Sequence, residues 1–295
     1  MSQIIELIKV LRDRTGAGLM DCKKALLENG NDVEKAIDWL REKGIAKVAK
    51  KSSRIAAEGK TNVLASGNDA IVLEINSETD FVANSDPFAD LVKYCTSAII
   101  TNKPASVEDA KKVGFDGGKS IEETFTDATI KLGEKLDLRR FELVTKTDDE
   151  VFGTYIHMKG KISVLVVLKN GTPELAKGIG MTIAANNPSY IQMEDIPAAV
   201  VEKETAVQTE LSVQDENFSK KPENVRTNII KGRVDKILAE QVLVLQDYVL
   251  DPSKMVGQIL KETGASVVKF VRYQVGEGLE KRQDDFAAEV MNQAK

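Results

Sequence analysis

The stretch NVLASGNDAIVLEINSETDFVAN, residues 62–84, decides between an all-helical and a mixed fold. Residues 62–66 and 70–75 are short apolar runs separated by Gly67-Asn68-Asp69, a turn-forming triplet, and read as a hairpin of two strands. Directly beyond, Glu78, Thr79 and Asp80 are polar, and Phe81-Val82 follows with no spacer. Aromatic residues make up 5% of the chain, so a Phe set against an Asp at a strand end needs a physical reason. Two readings stand: Asp80 is a favourable charge in the first turn of a helix and Phe81 is core, or the pair is exposed and enters another molecule. Thr79 can cap a short helical turn under either reading, so both stay open.

Outward from this stretch, SDPFADLVKYCTSAII (85–100) reads as a helix with Ser85 as N-cap and Pro87 in its first turn. A polar helical region ends in KLGEKLDLRR (131–140), and RFELVTK (140–146) reads as a strand. The order then recurs. VFGTYIHM (151–158) and ISVLVVLK (162–169) form a second hairpin across Lys159-Gly160-Lys161, PELAKGIGMTIAAN (173–186) a helix, and VVKFVRYQV (267–275) a third strand. The expected class is α+β: two subdomains, each a three-stranded antiparallel sheet with helices, related by element order rather than by sequence.

Residues 1–42 carry three apolar stripes at helical spacing: Ile4, Ile5, Ile8 and Leu11; Met20, Leu26 and Leu27; Val33, Ala36, Ile37 and Leu40. The breaks are TGAG (15–18) and NGND (29–32). Helices this short need a shared core, which one face of Trp39 would cap. The basic stretch KGIAKVAKKSSR (43–54) reads as a solvated linker. Between the second helix and the last strand, Val200, Val201, Val207 and Leu211 mark one helix and Val225, Ile229, Ile237 and Val242 another, with SKKP (219–222) between them. They form either a helical hairpin of coiled-coil type projecting from the body or two helices flat on a sheet. The expected units are 1–54, 55–143, 144–278 with the insertion at about 198–246, and 279–295.

Several function classes fall away. His157 is the sole histidine, and Cys22 and Cys95 share no ligand or redox spacing, so neither a Ser-His or Cys-His pair nor a zinc site is readable. The same cysteine usage points to a reducing cytoplasm. VGFDGGKS (113–120) imitates a phosphate loop, but the first glycine would have to be residue 113, which is Val. A net charge of −5, with no aromatic interleaved in the basic stretch, argues against direct nucleic-acid binding. No apolar run approaches the roughly 20 residues that cross a bilayer.

Four motifs carry a resemblance to bacterial elongation factor Ts: LRDRTGAGLMDCKKAL (11–26), SETDFVAN (77–84), KPENV (221–225) and VGEGLEKRQDDFAAEV (275–290). They span the chain in that family's order. The resemblance implies a three-helix module like ubiquitin-associated domains, a two-part core, an inserted helical hairpin and a C-terminal helical segment. It further implies guanine-nucleotide exchange on elongation factor Tu, with no cofactor and no catalytic chemistry of its own. The factor would bind the GDP form, dislocate Mg²⁺, and stay bound until GTP and aminoacyl-tRNA displace it. Thr79, Asp80, Phe81 and Val82 match the stretch that dislocates the metal. Arg12 and Met20 match residues facing the GTPase domain, and His157 matches a strand histidine near the partner's nucleotide-binding loop.

Read without the family, Arg12 is a solvated helix charge, Met20 half-buried core, and His157 a satisfied surface imidazole. One departure is visible: Thr182 stands where the family usually has histidine, which bears on local packing. The hairpin and the segment around Phe286 to Val290 would add contact area. An adaptor or chaperone-like binder is the alternative from another class, a carboxylate enzyme a more distant one. Oligomeric state is left open.

Overall fold

The computed structural model describes residues 2–15, 17–51, 53–213 and 216–280. The chain opens with α1 (Ser2–Thr15), α2 (Leu19–Glu28) and α3 (Val33–Lys51). Ile8, Leu11, Cys22, Ala25, Leu26, Ala36 and Leu40 form their shared core, with Trp39 half-buried against it. Ile5 and Leu27, assigned above to the apolar stripes, are exposed instead.

The basic stretch is not a linker: α3 continues through it to Lys51. Lys and Ala are strong helix formers, and no proline interrupts the run. Tertiary packing adds a second cause. A Cβ at Gly44 would stand 2.0 Å from Cδ1 of Ile130, so the glycine lets this helix lie close against α7 (Ile121–Leu132). Arg41 pairs with Glu123 across the same contact, at 2.8 Å.

The first sheet has the order β1 (Glu58–Ser66), β2 (Asp69–Ser77), β3 (Asp137–Thr145), and all its pairings are antiparallel. Between β2 and β3 lie α4 (Asp80–Ala83), α5 (Asp86–Asn102), α6 (Val107–Ala110) and α7. KLGEKLDLRR is therefore divided: α7 stops at Leu132, Gly133 turns the chain at φ 78°, and β3 has begun by Asp137. The second sheet has the order β4 (Glu150–His157), β5 (Ile162–Lys169), β8 (Ser266–Gln274), again antiparallel. Its intervening elements are α8 (Pro173–Asn186), α9 (Ala198–Val213), α10 (Glu216–Ser219), α11 (Glu223–Ala239), the ribbon of β6 (Asp247–Tyr248) and β7 (Asp251–Met255), and α12 (Val256–Thr263).

The two sheets stack face to face. Val63, Ala70, Val72 and Val144 of the first meet Leu165, Val167 and Val271 of the second. Helices cover the outer faces, with Ile71, Leu73 and Ile75 packing under α5 and Val164, Val166 and Leu168 under α8 and α12. The central strands β2 and β5 are thus apolar on both faces, which is why they read as near-continuous apolar runs.

Glu74 is the charged exception in β2, a fully buried carboxylate, and Asn76 and Ser77 at the strand's end are buried polar residues as well. A bulge in β3 sets Arg139 out of register beside Arg140, and both arginines reach Glu74, at 3.0 and 2.6 Å. The backbone N–H of Gly276, at φ 71°, donates to the same carboxylate at 2.8 Å. The VGEG stretch is thereby bound to the first sheet. Burial holds the nearby Tyr273 hydroxyl up at about 12, with the Glu142 charge adding to the shift.

Of the two readings of the insertion, the structure takes the hairpin. α9 and α11 pack on each other rather than on either sheet. The hairpin's base is fixed by Ile196, Val234, Leu238 and Val242 with Val200 and Ile230; Val201, Val207, Leu211 and Val225, read above as its apolar stripes, are exposed. Thr182 is buried, and its hydroxyl accepts from Val249 N at 3.1 Å, tying α8 to the β6–β7 ribbon. The C-terminal helical segment expected beyond 279 lies mostly outside the described residues.

Candidate functional site

The connection from β2 to α5, residues 78–85, is where the sequence pattern broke. Thr79 is extended, at φ −127° and ψ 157°, and its hydroxyl accepts from Val82 N at 3.3 Å. It is therefore the N-cap of the single turn α4, as the sequence suggested. Ser85 closes the other end, its Oγ donating to Val82 O at 2.7 Å. Within this turn Ala83 is buried and Val82 packs on the first sheet's core. Asp80 and Phe81 face solvent, and Phe81 is 86% exposed while Phe88, seven positions on, is 0% exposed.

The turn is held from outside as well. One carboxylate, Glu134, accepts from Glu78 N at 3.1 Å, from Thr79 N at 3.0 Å and from the Thr79 hydroxyl at 2.6 Å. Glu78 reaches the opposite way, accepting from Lys135 N at 2.6 Å and from the Arg54 guanidinium at 3.2 Å. Lys135 Nζ in turn donates to Arg54 O at 3.0 Å. Residues 78–79 and 134–135 thus clamp each other through two carboxylates, and Arg54 is pinned to the pair. Sequence reasoning missed Glu134 altogether. Its only local signal was Gly133, whose left-handed conformation ends α7 and directs the next residue backward.

His157 ends β4 and is half-buried, with its Nδ1 2.9 Å from the Tyr155 hydroxyl. After it the turn runs through Met158, Lys159 and Gly160, all at positive φ. Met158 is 66% exposed, and Ile156 is also exposed. Gly160 O accepts from Thr61 of β1 at 2.9 Å, and Lys161 pairs with Glu58, which lies opposite Ser77 in the ladder. The ends of β2 and β4 therefore lie at one end of the sandwich, and His157, Met158 and the Thr79–Val82 turn share it. Met158 was not singled out in the sequence. Arg12 and Met20 are exposed on α1 and α2, in a module that meets the body through α3 and α7.

The rest of the surface narrows what the arrangement can do. The imitation phosphate loop is folded around Tyr94, whose hydroxyl binds Lys119 O and Phe115 N, while Lys119 pairs with Asp127. Among the described residues no cluster of His, Cys, Asp and Glu suits a metal ion, and no helix is long and apolar enough to cross a membrane. What the site offers is mechanical: an aromatic ring and a carboxylate on adjacent residues, presented on a braced turn. Comparison with protein families matches residues 78–277 to the one described as elongation factor TS, a span that begins at the first residue of this connection.

Proposed function

Because the chain belongs to the elongation factor Ts family, translation elongation factors that act in nucleotide exchange, we propose that its partner GTPase is elongation factor Tu and that it promotes exchange of GDP for GTP there. Phe81 enters a pocket of the GTPase as an apolar wedge, and Asp80 takes up donors that otherwise support the metal environment. Mg²⁺ demands near-ideal octahedral geometry, so a small displacement of its ligands or waters loosens both the ion and the diphosphate it bridges. Thr79 and Val82 hold the wedge, the first as cap and the second as anchor. Arg12, Met20 and His157 add contacts to the same partner. The factor remains bound until GTP and aminoacyl-tRNA displace it.

Linkage explains why no catalytic triad is required. A factor that favours the nucleotide-free state weakens nucleotide binding by the same factor that nucleotide weakens its own. Every 1.4 kcal/mol of that coupling, roughly, is tenfold in affinity. The observation that carries the reading is the exposure of Phe81. Leaving a phenylalanine in water beside an adjacent core forgoes about 2–3 kcal/mol of burial, the cost of keeping the ring free for a partner.

The test is release of a fluorescent GDP analogue from purified elongation factor Tu. Substoichiometric amounts of the protein are expected to accelerate release. Binding without acceleration would instead make it an adaptor.

A further inference from the structure

The reciprocal clamp beneath the wedge gives Glu134 a role of its own. Its carboxylate takes three hydrogen bonds from two consecutive residues, Glu78 and Thr79, immediately before Asp80 and Phe81. Those donors fix the direction in which the chain enters α4, since Thr79 is both the cap of the turn and a donor to Glu134. The bonds reach across 55 and 56 positions of sequence. They therefore brace a surface turn against a separate element, which a local cap alone does not do. The second sheet gives the internal control: at the end of β5, Thr172 caps α8 by accepting from Leu175 N, and no aromatic ring is presented there.

We infer that Glu134 is a positioning residue for nucleotide exchange, holding the Asp80–Phe81 turn in the geometry in which it enters the partner; this rests on the proposed function. A wedge on an unbraced turn would have to be ordered during binding, and that ordering would be subtracted from the interaction with the partner. Charged hydrogen bonds to backbone donors are the stronger kind, which suits a brace that must not yield as the ring is driven into a pocket. Glu78 completes the brace from the other side through Lys135 N and Arg54.

The experiment is a double-mutant cycle on GDP-analogue release from the GTPase, with wild type, E134A, E134Q, F81A and E134A/F81A. E134A is expected to slow release about tenfold, the worth of one charged hydrogen bond. E134Q, which keeps an acceptor of the same reach, is expected to fall between E134A and wild type. E134A/F81A is expected to be no slower than F81A alone, because a misplaced ring and a missing ring fail at the same step. Wild-type release by E134A beside a slow F81A overturns the role of Glu134 and leaves the proposed function standing. Equal fractional slowing by E134A in both backgrounds also overturns it, since Glu134 would then act independently of the wedge. Wild-type release by F81A overturns the proposed function and this inference together. If E134A does not fold, the cycle run with E134Q and E134Q/F81A makes the same decision.

Discussion

In the first sheet, β2 passes to α5 through residues 78–85; in the second, β5 passes to α8 through residues 170–172. Both connections leave a central strand buried on two faces, and both contain a threonine N-cap of nearly identical geometry. The shorter one turns the chain, with Asn170 at φ 55° and Gly171 packed close to Leu168 and Ala265. The longer one inserts a whole helical turn, anchors it with Val82 and Ala83, braces it with Glu134, and leaves Phe81 in water. The contrast separates two costs. Joining a strand to a helix needs a cap, and in the shorter connection a left-handed residue as well; presenting a ring needs a scaffold.

The strongest way to sharpen that contrast sets Phe81 of the longer connection against Phe88 of the helix it leads into. Phe88→Ala removes a fully buried ring from the first core and is expected to cost about 3–5 kcal/mol in denaturant unfolding. Phe81→Ala, a nominally identical change seven positions earlier, is expected to stay within about 0.5 kcal/mol of wild type. A large loss from Phe81→Ala would mean that the ring serves the fold. A smaller effect compares the caps: Thr172→Ala should lose about 1 kcal/mol of stability, and Thr79→Ala more, because its hydroxyl also donates to Glu134. Only Thr79→Ala should also slow nucleotide release. Equal exchange kinetics in the two variants would break the distinction between the connections.

Much of the architecture was legible because the central strands are apolar on both faces, so residues 70–75 and 162–168 announce themselves without alternation. The cap at Thr79 was legible for a local reason, a polar residue three positions before the amide it binds. What escaped was set by distance. The close seating of α3 on α7 depends on Gly44 meeting Ile130, and the brace on Glu134 meeting Glu78 and Thr79; neither pair has a local sequence pattern. The fate of VGEG was hidden for the same reason, since Gly276 is paired with a carboxylate at position 74. Glu74 itself, an acid within an apolar strand, was a visible signal that a buried partner had to exist. In the hairpin, Val200 faces inward but Val201, Val207 and Leu211 do not, because so narrow a contact between two helices buries few of their apolar residues.

The central claim is that the exposed pair loosens nucleotide on a partner without supporting the fold of its own chain. The measurement is GDP-analogue release from elongation factor Tu with Asp80→Ala/Phe81→Ala, alongside the circular dichroism and unfolding midpoint of the variant. Loss of a central aromatic anchor and its adjacent charge is expected to slow release at least about thirtyfold, with the midpoint unchanged. Wild-type release kinetics in a folded double variant would contradict the account.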